Sequence, residues 1–541
     1  MTELQLLADL DDEARNRRFA ELQQRMAPVW DSMGHDLADE SVVVVPSVPP
    51  TRTVPGSGSL SQAYEERFLF LLLLLRQPRM RMIYVTSTTI DPRIVEYYLA
   101  LLPGVIPSHA RRRLFLISVG DASPKPLSEK LLARPRVLAQ IAALIPNRAH
   151  CHLIPYSTTR LERDLALTFG IPMYGSDPRL ARLGSKSGCR RLFREVGVPH
   201  PVGAEDLHGV DQVVDAIEGL LRGRPTMRQV IVKLNEGVSG SGNALVDLTG
   251  VAELPGSDRR AAIAECVRGM RLEDPDASFD AYAAKLESDG GIVEERIVGE
   301  ELLSPSVQLR VLPDGAVQLL STHDQLLGGA SGQSYLGCVF PADPAYSSLI
   351  SEPARAIGER LATEGVLGRF SVDFVVVRDG TGGWSAYAIE LNLRKGGTTH
   401  PFLTLQFLTD GRYDPNAGRF LTPDGAEKHL VATDHLESPE LRALSIGDLF
   451  DVVAANGLHY DHSRQAGIVF HMISSITEHG RVGMTAVGDT ADHAMGLYER
   501  ARRVLLDEAR AAGRAAPLPE PEAVVDRVAY GPDRADLKRG L

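Results

Sequence analysis

The chain has 541 residues, 44% of them hydrophobic and 24% charged, with a formal net charge of −12. This length exceeds what one hydrophobic core supports and predicts about two to four globular domains. The acidic balance argues against a nucleic-acid-binding surface. The four cysteines show neither metal-site spacing nor disulfide density, which fits a cytoplasmic protein. No signal peptide opens the sequence, and its longest apolar run, Phe68 to Leu75, is too short to span a membrane.

The N-terminal third alternates between predicted strands and helices. Strands are predicted at Ser41 to Val45, Arg81 to Thr86 and Leu114 to Val119, with helices at Tyr64 to Leu75 and Asp91 to Leu102. This alternation predicts a small parallel sheet. The first strand runs directly into VPSVPP instead of a glycine fingerprint, which excludes a dinucleotide site there. We expect this segment to be a scaffold that supplies part of a substrate pocket.

Two apolar runs in the second half of the chain each contain isolated polar residues. SVDFVVV contains Asp373, and AIELNLRKGGTTHP contains Glu390 and Asn392 at alternate positions. Strand geometry places Glu390 and Asn392 on one face, and a turn at residues 379–383 would bring Asp373 beside them. Clustered hard oxygen ligands suit Mg²⁺ shared with nucleotide phosphates. The alternative is an edge hairpin with solvated acids, which is less favoured because both acids interrupt strongly apolar strands.

A pattern typical of phosphate binding occurs earlier in the chain. QVIVK predicts a strand that ends at Lys233, and the next residues are rich in glycine and serine, at Gly237, Ser239, Gly240, Ser241 and Gly242. Successive amides of such a loop can close over an anion, and a lysine beside them completes a phosphate clamp. This is not a Walker loop, because GK[ST] is missing and ALVDL predicts a strand. A flexible hairpin linker is the alternative for the loop taken alone.

Taken in order, these pieces resemble the ATP-grasp superfamily. The resemblance makes Asp373, Glu390 and Asn392 the magnesium set. It also makes EERI, at residues 294–297, the hinge that holds adenine through backbone groups, although this stretch alone indicates only a charged loop between strands. The residues that the resemblance assigns to ATP are Lys186, Lys233, Gly237, Ser239, Gly240, Ser241, Gly242, Glu294, Glu295, Ile297 and Glu301.

Three stretches resemble more specifically the peptide ligases of pheganomycin biosynthesis. They are STHDQLLGGASGQSYLGCVFPA, ELNLRKGGTTHP and GIVFHMISSITEHGRVGMTAVGDT. The resemblance implies an α/β fold with an α+β core. Its parts would be a Rossmann-like pre-ATP-grasp domain (1–173), an ATP-grasp domain (174–424), a small C-terminal α+β domain (425–515) and a flexible tail (516–541).

The resemblance also implies an activity. The chain would be an ATP-dependent carboxylate–amine ligase of natural-product biosynthesis that forms an amide bond through an acyl phosphate and releases ADP and phosphate. Its cofactors would be ATP and two Mg²⁺ ions, with Mn²⁺ as a substitute. Its substrates would be a small carboxylic acid and an amino acid or peptide amine, and a homodimer is compatible with the family.

Several side chains follow from this activity as candidates for chemistry or substrate contact. Arg369 and Arg394 could stabilise the oxyanion formed when the amine attacks. For Arg394 the alternative is a structural salt bridge to one of the metal acids. Lys395 and Asp324 are further candidates for substrate contact.

Two other functions are alternatives to a ligase. ELNLRKGGTTHP also resembles the metal strand of ATP-dependent carboxylases of the biotin-carboxylase type. A non-catalytic ATP-binding protein is less favoured, because the acid–asparagine set is complete.

His459, Asp461 and His462 have metal-like spacing that is more typical of a polar loop. His471, within an apolar run, is interpreted as a core or interface histidine.

Overall fold

The computed structural model describes residue 7 and residues 9–33, 39–48, 58–236, 242–274, 277–328, 334–378, 380 and 382–514. The N-terminal part contains the strands β1 (Ser41–Val45), β2 (Arg81–Thr86), β3 (Leu114–Ser118) and β4 (Cys151–Pro155). They form a parallel sheet in the order β3-β2-β1-β4. The three predicted strands are therefore confirmed, and β4 is an additional strand that the sequence patterns did not indicate.

Both faces of this parallel sheet are buried, as is usual when helices connect parallel strands. Val42 and Val44 of β1 pack into one core, whereas Val43 and Val45 pack into another. The helices of this part are α1 (Asp12–Gln23), α2 (Met26–Met33), α3 (Gly58–Glu66), α4 (Pro92–Ala100), α5 (Pro107–Arg111), α6 (Leu127–Leu132), α7 (Pro135–Leu144) and α8 (Arg160–Phe169).

The apolar run near residue 70 differs from the helix predicted for it. The α-helix α3 ends at Glu66, and Arg67–Arg76 continues as a 3₁₀-helix in which eight of ten residues are buried. The run is apolar on every side, so packing all around it, not one amphipathic face, sets its conformation. It shares a core with C-terminal residues such as Phe470 and Met484.

The middle of the chain forms a five-stranded antiparallel sheet. Its strands are β5 (Gly203–Leu207), β6 (Gln229–Leu234), β7 (Asn243–Asp247), β8 (Arg271–Leu272) and β9 (Gly291–Glu295), in the order β5-β9-β6-β7-β8. The accompanying helices are α9 (Lys186–Glu195), α10 (Val210–Gly223), α11 (Gly256–Arg268) and α12 (Phe279–Asp289).

The rest of the chain builds a nine-stranded sheet. Its strands are β10 (Glu301–Leu303), β11 (Pro305–Val311), β12 (Val317–Gly328), β13 (Ser334–Phe340), β14 (Gly368–Arg378), β15 (Trp384–Asn392), β18 (His429–Glu437), β19 (Gly467–His471) and β20 (Arg481–Gly488). The order is β10-β14-β11-β12-β13-β18-β20-β19, and β15 pairs with β14. Because β13 pairs with β18, the C-terminal strands continue the sheet across the domain boundary predicted at residue 424.

The remaining elements surround this sheet. A separate hairpin consists of β16 (Arg412–Asp414) and β17 (Arg419–Leu421), and the helices are α13 (Pro344–Thr363), α14 (Thr399–Thr409), α15 (Ile446–Ala455), α16 (Ser475–His479) and α17 (Ala491–Arg514). Short 3₁₀-helices occur at Arg148–His150, Pro178–Gly184, Val251–Glu253 and Pro439–Ala443. Within the described ranges, every helix is too short or too polar to cross a membrane. The tail predicted at 516–541 lies outside the described residues.

Candidate active site

A cavity of 490 Å³ is lined by strands of both antiparallel sheets and by the 3₁₀-helix that begins at Arg67. Three groups of side chains surround it. The hinge wall consists of Pro201, Ile231, Glu295, Ile297 and Leu302. The acid cluster consists of Asp373, Glu390 and Asn392. The third wall consists of Tyr64, Arg67, Tyr335, Asp434 and His435.

The acid cluster forms on the hairpin that the sequence predicts. Strands β14 and β15 pair antiparallel with Asp373 opposite Glu390. The Asn392 amide donates to Asp373 Oδ2 at 2.9 Å, and the Ser306 hydroxyl donates to Asp373 Oδ1 at 2.6 Å. Burial, together with the neighbouring Glu390 charge, raises the pKa of Asp373 to about 6. Two carboxylates with a shared amide form a set of hard oxygen ligands.

The two predicted phosphate lysines are buried and paired with acids. Lys186 begins α9, and its Nζ lies 2.5 Å from Glu390 Oε1. The Lys233 Nζ lies 2.5 Å from Glu294 Oε1. Burial alone would raise the pKa of Glu390, but Lys186 lowers it below its usual value. The glutamates therefore hold both lysines beside the cavity.

The predicted hinge lies at the end of β9. Glu294 turns its side chain inward, toward Lys233 and toward Arg190 Nη1 at 3.0 Å. Glu295, Arg296 and Ile297 line the cavity. Glu295 also forms an ion pair with Arg224 at 2.6 Å.

Two parts of the predicted nucleotide site are placed differently or are not described. Glu301 lies on β10, where it pairs with Arg378 at 3.3 Å, and it is not among the described residues that line the cavity. Gly237, Ser239, Gly240 and Ser241 lie outside the described residues. Gly242 is described, and its carbonyl accepts hydrogen bonds from Leu234 N and Tyr282 Oη at 3.0 Å each.

The two predicted catalytic arginines occupy different environments. Arg394 lines the cavity, and its Nη1 donates to the Lys395 carbonyl at 3.1 Å. Burial and Glu390 raise the pKa of Asp373, and the positive charge of Arg394 opposes this rise; it also adds to the lowering of the pKa of Glu390 by Lys186. Arg369 is not among the described lining residues, and its Nη1 is buried without a hydrogen-bond partner there.

The two side chains predicted to contact substrate also lie in different environments. Lys395 points away from the acid cluster and donates from Nζ to the Pro155 carbonyl at 2.6 Å, at the end of β4. Asp324 accepts hydrogen bonds from Tyr346 Oη at 2.7 Å and from Asp343 N at 3.0 Å, next to α13. It is not among the described residues that line the cavity. These contacts give Asp324 a structural role in holding α13.

The third wall was not predicted from the sequence. Arg67 Nη1 lies 2.5 Å from Asp434 Oδ2, and both side chains are buried. Asp434 Oδ1 lies 2.8 Å from His471 Nε2 and 3.3 Å from His400 Nε2. Arg67 balances the carboxylate charge, and His400 Nε2 also lies 3.1 Å from His471 Nε2, so the four side chains form one buried network. Within the described residues, Arg67 Nε and His400 Nδ1 in this network have no hydrogen-bond partner.

The structure also shows the surroundings of the two histidine patterns considered in the sequence. His471 is buried and bonded to Asp434, which confirms it as an interface histidine. Asp461 instead accepts from the backbone and hydroxyl of Ser463 in a tight turn, as expected for a polar loop. Among the described residues, His459 and His462 form no three-residue ligand group with it. Sequence analysis did not single out Arg67, because it adjoins a long apolar run. It did not single out Asp434 either, because it lies within a strand.

Two family models match the chain. One, described as the PGM1 C-terminal domain, matches residues 448–501. The other, described as IQCH-like, ATP-grasp, matches residues 178–266 and 275–416. The second match covers the hinge wall and the acid cluster, and the first lies within the C-terminal residues that extend the sheet.

Two curated proteins are similar over most of the chain. The L-propargylglycine–L-glutamate ligase of Streptantibioticus cattleyicolor is 31% identical over 454 residues, which are 82% of this chain and 89% of that protein. The IQ motif-containing protein H of Danio rerio is 22% identical over 481 residues, 80% of this chain but 45% of that protein.

Solved structures share the fold at much lower identity. A biotin carboxylase–ATP analogue complex from Campylobacter jejuni superposes with a TM-score of 0.51 at 13% identity, covering 87% of this chain and 95% of that one. The biotin carboxylase domain of Hydrogenobacter thermophilus 2-oxoglutarate carboxylase, with MgADP and bicarbonate, gives 0.51 at 13% identity, covering 87% and 94%. At this identity the likeness concerns the fold alone.

Proposed function

Because the chain belongs to the ATP-grasp family of carboxylate–amine ligases, we propose that its cavity joins a carboxylic acid to an amino acid or peptide amine. One observation carries this proposal. The acid cluster and Lys233 line the same cavity as the hinge wall and a separate, charged third wall, and Lys186 is paired with Glu390 of the acid cluster. A site of this kind has room for a nucleotide and for substrates next to it.

The acid cluster fits Mg²⁺ by its chemistry. Asp373 and Glu390 face one another across β14 and β15, and their repulsion contributes to the raised pKa of Asp373. A divalent cation relieves such repulsion, and Asn392 adds a neutral oxygen ligand. Bound Mg²⁺ would neutralise charge on the transferred phosphoryl group. Two ions, or Mn²⁺ in their place, belong to the same proposal.

The lysines and the hinge wall would hold ATP. Ile231, Ile297 and Leu302 offer apolar surface for the base. Lys186 and Lys233 are charged groups held by glutamates, and phosphate oxygens would replace those carboxylates as their partners. Glu301 as an ATP contact and residues 237–242 as a phosphate-binding loop remain predictions.

The remaining walls would hold the two organic substrates. Arg394 lies between the acid cluster and Gly396, Gly397 and Thr398, which also line the cavity. Its guanidinium would stabilise the oxyanion as the amine attacks the acyl phosphate, releasing phosphate. The third wall would receive the amine, since the polar side chains of Tyr64, Tyr335 and His435 line the cavity there. Assignment of the domains as 1–173, 174–424 and 425–515, and a homodimer, remain predictions.

The test is ADP release measured with a panel of carboxylic acids and amino acids, including L-propargylglycine and L-glutamate, with product masses recorded. Hydroxylamine should trap the acyl phosphate as a hydroxamate that requires the acid but not the amine. A carboxylase would instead show bicarbonate-dependent ADP release without hydroxamate, and a non-catalytic binder would release no ADP. Either result would overturn the proposal.

A further inference from the structure

Two cations lie next to the cavity without an acidic partner: Lys395, which is buried, and Arg369, which is half-buried. Lys395 is 7% exposed, and its hydrogen-bond acceptor is the neutral Pro155 carbonyl. Arg369 Nη1 is buried and unpartnered. Among the described residues, no carboxylate contributes to the pKa shift of either side chain. A buried charge without a counter-charge costs several kcal/mol by general reckoning.

Other polar groups at the same place also lack partners. The Lys395 Nζ lies 5.8 Å from the centre of the Tyr174 ring. The buried Tyr174 hydroxyl and the buried His152 Nδ1 both have no hydrogen-bond partner within the described residues. Arg369, Lys395 and Tyr174 will be called the junction, because they lie where the parallel sheet meets β14. The junction thus combines two cations with an unused hydroxyl donor.

The junction adjoins the substrate side of the cavity. Arg369, Ser371 and Asp373 alternate on one face of β14, and Ser371 and Asp373 line the cavity. The Cα atoms of Arg369 and Ser371 are therefore roughly 7 Å apart along the strand. Lys395 lies between Arg394 and Gly396, which both line the cavity. A substrate lying along β14 from the acid cluster would reach the junction.

We propose that Arg369, Lys395 and Tyr174 bind a second carboxylate of the acid substrate, so that the ligase activates dicarboxylic acids, including acidic amino acids. This inference rests on the proposed function. One carboxylate would be phosphorylated beside the acid cluster, and the other would supply the missing counter-charge and accept from the orphaned donors. Arg369 would then position the substrate, a role different from the oxyanion contact expected from the sequence.

Protonation should be coupled to this binding. Burial, and next to it the charge of Arg369, lowers the pKa of Lys395 to about 7. The groups that face Lys395 are Arg369, the buried His152 and the Tyr174 hydroxyl, and Arg310 lies beside Arg369. A bound carboxylate favours charged lysine, so the protein should take up a proton on binding and affinity should fall as pH rises above 7.

The experiment is calorimetry on the full chain without nucleotide, using glutarate and L-glutamate against the monoacid valerate. We expect at least one diacid to bind about 10- to 100-fold more tightly than valerate, as for hydrogen bonds to charged groups. At pH 8 the binding heat should vary with the ionisation enthalpy of the buffer. If neither diacid binds more tightly than valerate, or if no proton is taken up, the inference is wrong.

Substitution provides a second test with a matched control. Lys395→Met should abolish the preference for diacids and leave the melting temperature unchanged or higher, because it removes an uncompensated charge. The control is Lys428→Met, since Lys428 is equally buried but lies 2.5 Å from Asp489. That variant should melt lower and keep the preference for diacids. If Lys395→Met retains the preference, the junction does not bind the second carboxylate.

The outcomes separate this inference from the proposed function. A chain that prefers diacids through Lys395 but never releases ADP would uphold the junction and refute the ligase cycle. A chain that forms hydroxamates equally well from valerate and glutarate would uphold the ligase cycle and refute the junction.

Discussion

The third wall and the junction both contain an arginine with buried nitrogen atoms, yet they differ in how the charge is compensated. Arg67 lies against Asp434, which also contacts His400 and His471. Arg369 has only uncharged or cationic neighbours in the described part of the chain. In the first arrangement the charge is compensated within the protein, and the contacts tie three distant parts of the chain together. In the second, the proposal requires that a ligand provide the anion.

The largest effect is expected from breaking the compensated region. Asp434→Asn would leave Arg67 buried without a counter-charge, which should lower the free energy of unfolding by about 3–5 kcal/mol. Denaturant unfolding followed by circular dichroism measures this change. Asp507→Asn serves as control, because Asp507 faces Arg510 at an exposed surface pair and should change little. Equal stability of the two variants would show that the third wall does not hold the fold together.

An arginine at the cavity itself should affect chemistry more than stability. Arg394→Ala should reduce amide formation about 10²- to 10³-fold, as expected for the loss of one oxyanion donor. Nucleotide affinity should change little, since Arg394 is not part of the hinge wall. Product formation by mass spectrometry and ATP binding by calorimetry separate these effects. A variant that simply loses ATP would refute the role given to this arginine.

The acid cluster offers a related prediction. Glu390→Gln keeps the shape of the side chain but removes its charge and the partner of Lys186. Mg²⁺-dependent ADP release should fall at least about tenfold. Stability should fall less than in Asp434→Asn, because the repulsion with Asp373 that disappears partly offsets the loss of the Lys186 ion pair. The measurement is ADP release against Mg²⁺ concentration, with a thermal melt as the folding control. Normal turnover would show that Glu390 is not a metal ligand.

The smallest effect should appear in the pH dependence of stability. The pKa of Lys395 is depressed in the folded state, so its penalty is fully present below pH 7 and disappears as pH rises toward 10.5. The gap in stability between Lys395→Met and wild type should therefore shrink over this range. Arg67 holds the pKa of Asp434 well below 3.8 despite burial, so the stability from Asp434 is lost only below about pH 4. Thermal melts from about pH 2 to 10 test both.

The parts of the site that the sequence predicted are local. Asp373, Glu390 and Asn392 lie on neighbouring strands of one hairpin, where alternation alone determines which side chains share a face. Lys186 and Lys233 were assigned by resemblance, and their ion pairs with glutamates place both beside the cavity. The fold class followed from strand–helix alternation and from the order of the motifs.

The parts that were missed depend on contacts between distant residues. Arg67 and Asp434 are 367 positions apart, and nothing in either neighbourhood indicates the other. The junction likewise joins Tyr174, which precedes the five-stranded sheet, to Lys395, which follows β15. Sequence periodicity reports on which face a residue lies, but not on which distant element covers that face. Expectations for Arg369 and Asp324 were incomplete for this reason.

The pairing of β13 with β18 limits how the enzyme can be recombined with its relatives. Four residue pairs, from Gly337–Thr433 to Phe340–Leu430, connect the strands on either side of residue 424. A side chain at position 337 would collide with the Ala432 carbonyl, so a grafted partner strand has to meet glycine there. Chimaeras made by exchanging residues 425–514 will therefore fold only when the donor segment matches this register. The C-terminal segment is not an interchangeable module.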